Sequence, residues 1–221
     1  QVLRHSRAVN PDVVNVGTFH AHSAGGNRMY SYWRIVLKRW FRELDGKIAV
    51  SPPAAEYHHR YYPGFYNVIP NGIDVDHFAD RDIEPIPELY VGRAEKRKGL
   101  PYLIRAFGTV NARDPNTRLV VVSRDSRRLR RYRDSIESQG RRAIVFADDV
   151  SNADLPRYHR SSQIFCSPAT GNESFGYVVV EGMAAGLPVV ASNIEGYAYV
   201  MTHGVEGLLV VGATVREIWL E

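Results

Sequence analysis

From residue 88 onward one device repeats: a short run of β-branched and apolar residues, then a stretch with helical spacing, then another run. The apolar runs are Glu88–Gly92, Arg118–Ser123, Ala143–Ala147, Gln163–Ser167, Pro188–Ser192 and Gly207–Val211. Their apolar centres are nearly unbroken, as in strands covered on both faces. The stretches between them, Leu100–Arg113, Ser126–Gln139, Ala153–Ser161, Phe175–Ala185 and Ile194–His203, carry helical patterns. Strict alternation of this kind predicts an α/β domain with a parallel, doubly wound sheet. Ligands of such sheets bind beyond the carboxyl ends of the strands, so the loops that follow the runs are where chemistry is expected.

The first 75 residues offer less. Val13–Phe19, Lys47–Val50 and Tyr66–Ile69 read as strands and Met29–Leu44 as a helix, which is only part of a second α/β domain. The segment Ile69–Phe78, IPNGIDVDHF, has turn chemistry at Pro70, Asn71 and Gly72 and reads as the connection. The expected division is therefore 1–75 and 76–221. The opening, QVLRHSRAVNPD, lacks an initiator Met and reads like the middle of a longer protein. Cys166 is the single cysteine, so no disulfide closes within the chain and a reducing compartment is expected. No apolar run approaches the roughly 18 residues of a membrane span. The expected location is cytoplasmic, or peripheral on the inner face of the cell membrane.

Two loops after predicted strands carry the functional signal. In GNESFGYVVVEGMAAGLPVVAS (Gly171–Ser192), Glu173 precedes a predicted helix and Glu181 lies about two turns inside it. The amides of Ser174, Phe175 and Gly176 would stand at the helix N-terminus, where unpaired donors and the helix dipole favour an anion. A glycine at 176 would let a ligand approach the backbone. Both acids would then reach one ligand. By spacing alone, the readings that come first are a cap or solvated charge for Glu173 and an exposed helix residue for Glu181. The second loop, YVGRAEKRKGL (Tyr90–Leu100), places Arg93, Lys96, Arg97 and Lys98 after a strand. Such cations suit a diphosphate, Arg by bidentate bonding and Lys as a point charge.

Together the two loops resemble the retaining glycosyltransferases of family 4. Their pattern is an acid, seven residues, then an acid, here ESFGYVVVE followed by GMAAGLPVVAS. A Gly-Arg pair followed by Lys-Gly also fits, here Gly92-Arg93 and Lys98-Gly99, as do Thr18-Phe19-His20 and IPNGID in the right order. The resemblance implies a GT-B fold, with a nearly complete C-terminal Rossmann-like domain and a partial N-terminal one.

It also implies roles. Arg93 and Lys98 would hold the donor diphosphate and stabilise charge as the nucleotide leaves. Glu181 would bind the ribose hydroxyls and Glu173 would face the sugar ring. Ser174 and the amides of Phe175 and Gly176 would lie near sugar or phosphate, Val150 with Asp149 beside the base, and His20 near the sugar. The donor implied is GDP-mannose, and the acceptor a lipid or glycan. No cofactor is expected and no metal-ligand spacing is present. His58 and His59 are adjacent, diverge on a helix and read as surface residues.

Met29–Leu44, MYSYWRIVLKRWFREL, is amphipathic. Trp33, Val36, Leu37, Trp40, Phe41 and Leu44 form one stripe, and Arg34, Lys38 and Arg42 another face. It reads either as a helix packed on its own sheet or as one lying on an anionic membrane surface. SRDSRRLRRYR (Ser123–Arg133) holds six arginines in eleven residues. It reads as a solvated helix face or a contact for anionic lipid, and no nucleic-acid motif accompanies it.

The sequence also departs from the family. No glycine-rich phosphate loop follows a first strand, PDVVNVGTFH is compressed, and GATVREIWLE lacks the closing helices. The expectation is a chain that binds nucleotide but transfers sugar poorly or not at all. Two other readings stay open: a non-catalytic nucleotide-sugar-binding remnant, and a sugar-nucleotide epimerase of the same fold.

Overall fold

The structure is a computed structural model that describes residues 2–23, 28–79, 89–91, 96–123, 143–148 and 150–211. The chain forms two compact units. One comprises Gln1–Gly72 with Asn172–Phe175, the other Ile73–Gly171 with Gly176–Glu221.

The second unit is built on a six-stranded, all-parallel sheet. Its strands are β4 (Leu89–Val91), β5 (Leu119–Ser123), β6 (Ile144–Asp148), β7 (Phe165–Ser167), β8 (Val189–Ser192) and β9 (Gly207–Val210), in the order β6-β5-β4-β7-β8-β9. The apolar runs become strands because both faces are covered. In β5, LVVVS, every residue is buried. Val120 and Val122 pack on one side with Phe165, Val179, Val189 and Tyr197, while Leu119 and Val121 pack on the other with Leu100, Leu103, Phe107 and Cys166.

Helix α4 (Val75–Ala79) lies near the start of the unit, and helix α5 (Leu100–Arg113) has the predicted bounds. Helices α6 (Leu155–Arg160) and α7 (Tyr177–Ala184) are shorter than their patterns. The helix expected over Ile194–His203 is only α8, Glu195–Ala198. From Thr202 on the backbone donors go elsewhere: Thr202 N–H to the Glu206 carboxylate, Gly204 N–H to the Gly207 carbonyl and Leu209 N–H to the His203 ring. The predicted helix Ser126–Gln139, with its arginine cluster, lies outside the described residues.

The first unit holds a three-stranded parallel sheet, β1 (Val16–Phe19), β2 (Gly46–Ala49) and β3 (Asn67–Val68), in that order. Val13 and Val14 stay outside β1, because the preceding chain is used differently. It forms α1 (Val2–Val9), whose Arg7 pairs with Asp45 at 2.6 Å, and Asp45 also accepts from Asn15 N–H at 2.8 Å. The Asn15 amide, then Arg7, hold the Asp45 carboxyl below its usual range.

Helix α2 (Arg28–Phe41) splits its apolar stripe: Leu37 and Phe41 turn inward, while Trp33 and Val36 are exposed with Met29, Tyr32 and Ile35. Helix α3 (Pro52–Tyr61), capped by Ser51, corrects the reading of His58 as a surface residue. Ala54, Tyr57, His58 and Tyr61 follow the i, i+3, i+4, i+7 pattern of one buried face, and His58 is 3% exposed. Burial lowers its pKa to about 4. His59 is exposed, its Nδ1 3.0 Å from the Gly64 carbonyl. Phe41 stacks on Tyr62 with ring centroids 3.6 Å apart.

Candidate active site

Strands β4 and β7 are neighbours in the sheet but not in the chain: β5 and β6 extend from β4 to one side, β8 and β9 from β7 to the other. That reversal is a topological switch point, where doubly wound sheets place the crevice that takes a ligand, at the carboxyl ends of the two strands.

The loops leaving these two strands are bound together. After β4 a 3₁₀ turn, Lys96–Lys98, leads to Gly99, the N-cap of α5. Thr170, beyond β7, donates its N–H to the Arg97 carbonyl at 2.7 Å and lies 3.2 Å from the same oxygen through Oγ1. Gly99 has a left-handed backbone, φ 74°, and a Cβ there would sit 1.8 Å from the Pro168 carbonyl oxygen. Only glycine lets the two loops approach this closely. The other loop ends at Gly176, N-cap of α7, with φ 81°. A Cβ at 176 would be 2.6 Å from the Tyr197 ring, and Tyr197 is fixed by a 2.7 Å hydrogen bond with Ser167. No side chain caps α7 at this end. That suits a helix N-terminus kept for an anion.

Glu181 lies inside α7 with 20% of its side chain exposed, so it is not the solvated helix residue that spacing alone allows. Burial pushes its carboxyl up to about 7, and the Lys98 ammonium acts in the opposite direction. Two residues 83 positions apart in sequence thus meet electrostatically at the crevice. The Tyr177 phenol is raised by burial and then by the Glu181 charge.

The remaining predicted residues fall as follows. Val150 is partly buried against the core cluster that includes Val122, Phe165, Val179 and Tyr197. Glu173 and Ser174 are half-buried and Phe175 is buried, all in the segment counted with the first unit. Asn172, just before Glu173, has φ 59°. The Ser51 hydroxyl donates to the Ser174 carbonyl. His20 is exposed immediately after β1. Arg93, Gly92 and Asp149 lie outside the described residues. Among the described residues, no group of three His, Cys, Asp or Glu could hold a metal ion.

Sequence reasoning passed over His159. It is 0% exposed, on α6, with Nε2 4.0 Å from Glu181 Oε2. Its spacing from Leu155 and Pro156 places it on the inner face of that helix, and this was the signal available.

The family model for glycosyl transferases group 1 matches residues 83–218, and that for glycosyltransferase family 4 matches residues 2–77. The chain belongs to the glycosyl transferases group 1. Among relatives of this group, the phosphatidyl-myo-inositol mannosyltransferase of Mycolicibacterium smegmatis is 34% identical over 203 residues, covering 88% of this chain and 51% of the relative. That of Propionibacterium freudenreichii subsp. shermanii is 38% identical over 193 residues, covering 82% and 46%. The chain therefore spans about half the length of the curated relatives it matches. Among solved structures, Anabaena Alr3699/HepE in complex with UDP and glucose superposes with a TM-score of 0.78 at 21% identity, covering 92% of this chain and 59% of that one. Sucrose-phosphate synthase from Thermosynechococcus elongatus gives 0.73 at 24% identity, covering 98% and 60%. The fold is the α/β, Rossmann-like fold of GT-B glycosyltransferases.

Proposed function

We propose that this protein transfers a hexosyl group, mannose from GDP-mannose, to a lipid or glycan acceptor with retention of anomeric configuration. The observation that carries this reading is the apposition of Lys98 and half-buried Glu181 at the crevice between β4 and β7. A cation and a hydroxyl-binding carboxylate are the two groups needed to hold the diphosphate and the ribose of one nucleotide. The sugar identity rests on the named mannosyltransferase relatives, and the nucleotide-sugar class gains support from the UDP complex of Alr3699/HepE.

In the proposed reaction the bond from the anomeric carbon to the diphosphate oxygen breaks. The acceptor oxygen bonds to the same face of that carbon, and its proton passes to the leaving phosphate. Lys98, with Arg93, offsets the negative charge that grows on the diphosphate. Glu173 orients the sugar and faces the positive charge at the anomeric carbon, with His20 also serving the sugar end. Ser174 and the amides of Phe175 and Gly176 bind sugar or phosphate, and Val150 flanks the base. The division into an acceptor-side part, 1–75, and a donor-binding part, 76–221, belongs to the same proposal.

No helix among the described residues is long and apolar enough to cross a membrane. Exposed Trp33, Ile35 and Val36 on α2, beside Arg34 and Lys38, support a peripheral position on an anionic inner membrane surface. Titration calorimetry with GDP, UDP and ADP, followed by hydrolysis assays with their sugars, tests the reading. GDP is expected to bind most tightly; failure of all three to bind below millimolar concentration would refute it.

A further inference from the structure

His159 is completely buried. Its ring stands edge-on to Phe78, centroids 5.5 Å apart, and tilts against Phe165 at 5.2 Å. Among the described residues neither ring nitrogen has a hydrogen-bond partner. An apolar residue of similar volume would fill this place without stranding two polar atoms, so the imidazole needs a reason to be there. The charged group facing it is Glu181, with Oε2 4.0 Å from Nε2. That distance is too long for a hydrogen bond. A shift of about 1 Å in the carboxyl oxygen would bring it within reach.

We infer that His159 is a positioning residue for Glu181: when a nucleotide enters, its Nε2–H donates to Oε2 and fixes the carboxylate so that the other lone pairs accept from both ribose hydroxyls. This inference rests on the proposed donor site. Several features of the pair fit it. The aromatic walls restrict the ring, so a bond to it would also restrict the carboxylate. Burial holds the imidazole neutral, its pKa lowered to about 4, so it supplies a donor without adding a second cation beside Lys98. A carboxylate that burial has made costly to ionise gains a bond that favours its charged form. The 4.0 Å separation leaves the carboxylate about 1 Å short of a hydrogen bond, a contact that hydroxyls drawing the carboxylate into place would complete.

The test is calorimetric titration of the full chain with GDP and with 2′,3′-dideoxy-GDP. The wild type should prefer GDP. His159→Phe should weaken GDP by about tenfold, the usual effect of losing a hydrogen bond to a charged group, and leave the dideoxy nucleotide within about twofold. Glu181→Ala should abolish the preference, and His159→Phe on that background should add nothing. His159→Gln, which keeps an N–H donor, should recover part of the preference. Equal loss for both nucleotides would show a packing role only and overturn the inference, as would unchanged GDP affinity. A wild type that binds both nucleotides equally would refute the ribose role of Glu181, and one that binds neither would refute the donor site itself. Nitrogen NMR of the wild-type imidazole needs no substitution at 159. GDP should fix the proton on Nε2, whereas an unchanged tautomer and shift would overturn the inference.

Discussion

Gly99→Ala measures how tightly the two crevice loops are held. Alanine at a left-handed position costs about 1–2 kcal/mol from backbone sterics alone. At Gly99 a second effect is added, because its Cβ would lie 1.8 Å from the Pro168 carbonyl oxygen. An ordinary carbon–oxygen contact is about 3.3 Å, so the loops must separate by roughly 1.5 Å. The 2.7 Å bond from Thr170 N–H to the Arg97 carbonyl lies within the same pair of loops and would not survive that shift. Its loss adds about 1 kcal/mol, and the overpacking about 1–2 kcal/mol more. The expected destabilisation is about 3–5 kcal/mol. Gly186→Ala is the control, since Gly186 has the same φ of 74° with nothing within 4 Å of its added Cβ. It should show only the backbone cost, about 1–2 kcal/mol. Urea unfolding of the two variants compares them, and GDP titration should show weakened binding for Gly99→Ala alone. Equal stability loss in both variants would refute the close approach of Gly99 to Pro168.

Lys98→Ala should lower GDP affinity by about tenfold or more while changing GMP affinity much less, because the ammonium is assigned to the diphosphate. Calorimetry with the two nucleotides distinguishes the cases, and Arg93→Ala should behave alike. Glu173→Ala should reduce GDP-mannose hydrolysis far more than GDP affinity, as expected of a group that acts on the sugar; a parallel fall in both would place it on the nucleotide instead.

The α/β unit was legible because its strands are covered on both faces. LVVVS of β5 can hardly be anything else, and α5 shows its bounds through the apolar spacing of Leu100, Leu103 and Phe107. The first unit was harder for physical reasons. Its strands are short and largely uncovered: β3 is two exposed residues. Its helix α3 hides an inward face in PPAAEYHHRY, where a histidine and tyrosines replace the aliphatic residues that mark a core. At the candidate site, the spacing of Glu173 and Glu181 was visible, but the half-burial of Glu181 and its coupling to Lys98 depend on how β4 and β7 are brought side by side. His159 was invisible as a site residue, because only the fold brings α6 and α7 together at that point.

The raised pKa of Glu181 makes the protein's stability depend on pH. Its folded pKa, about 7, lies above the ordinary value of 4.5, so the folded state binds the proton more tightly than the unfolded state. Between those two values the folded protein holds more protons, and its stability falls as pH rises. Above about pH 7 the carboxylate is ionised in both states and the cost of burying it is fully present. At one pKa unit per about 1.4 kcal/mol, that cost is on the order of 3 kcal/mol. Glu181→Gln keeps the shape and removes the charge. It should stabilise the free protein by about 1–3 kcal/mol at pH 8, the attraction to Lys98 being already counted in the raised pKa. At pH 4.5 or just below, a protonated glutamate and a glutamine are nearly equivalent and the difference should shrink toward zero. GDP affinity at pH 8 should move the other way and weaken. Urea unfolding at the two pH values decides the matter. A variant no more stable than wild type at pH 8 would mean that Glu181 is comfortably ionised in the free protein, and that the crevice is not a site assembled at the expense of folding.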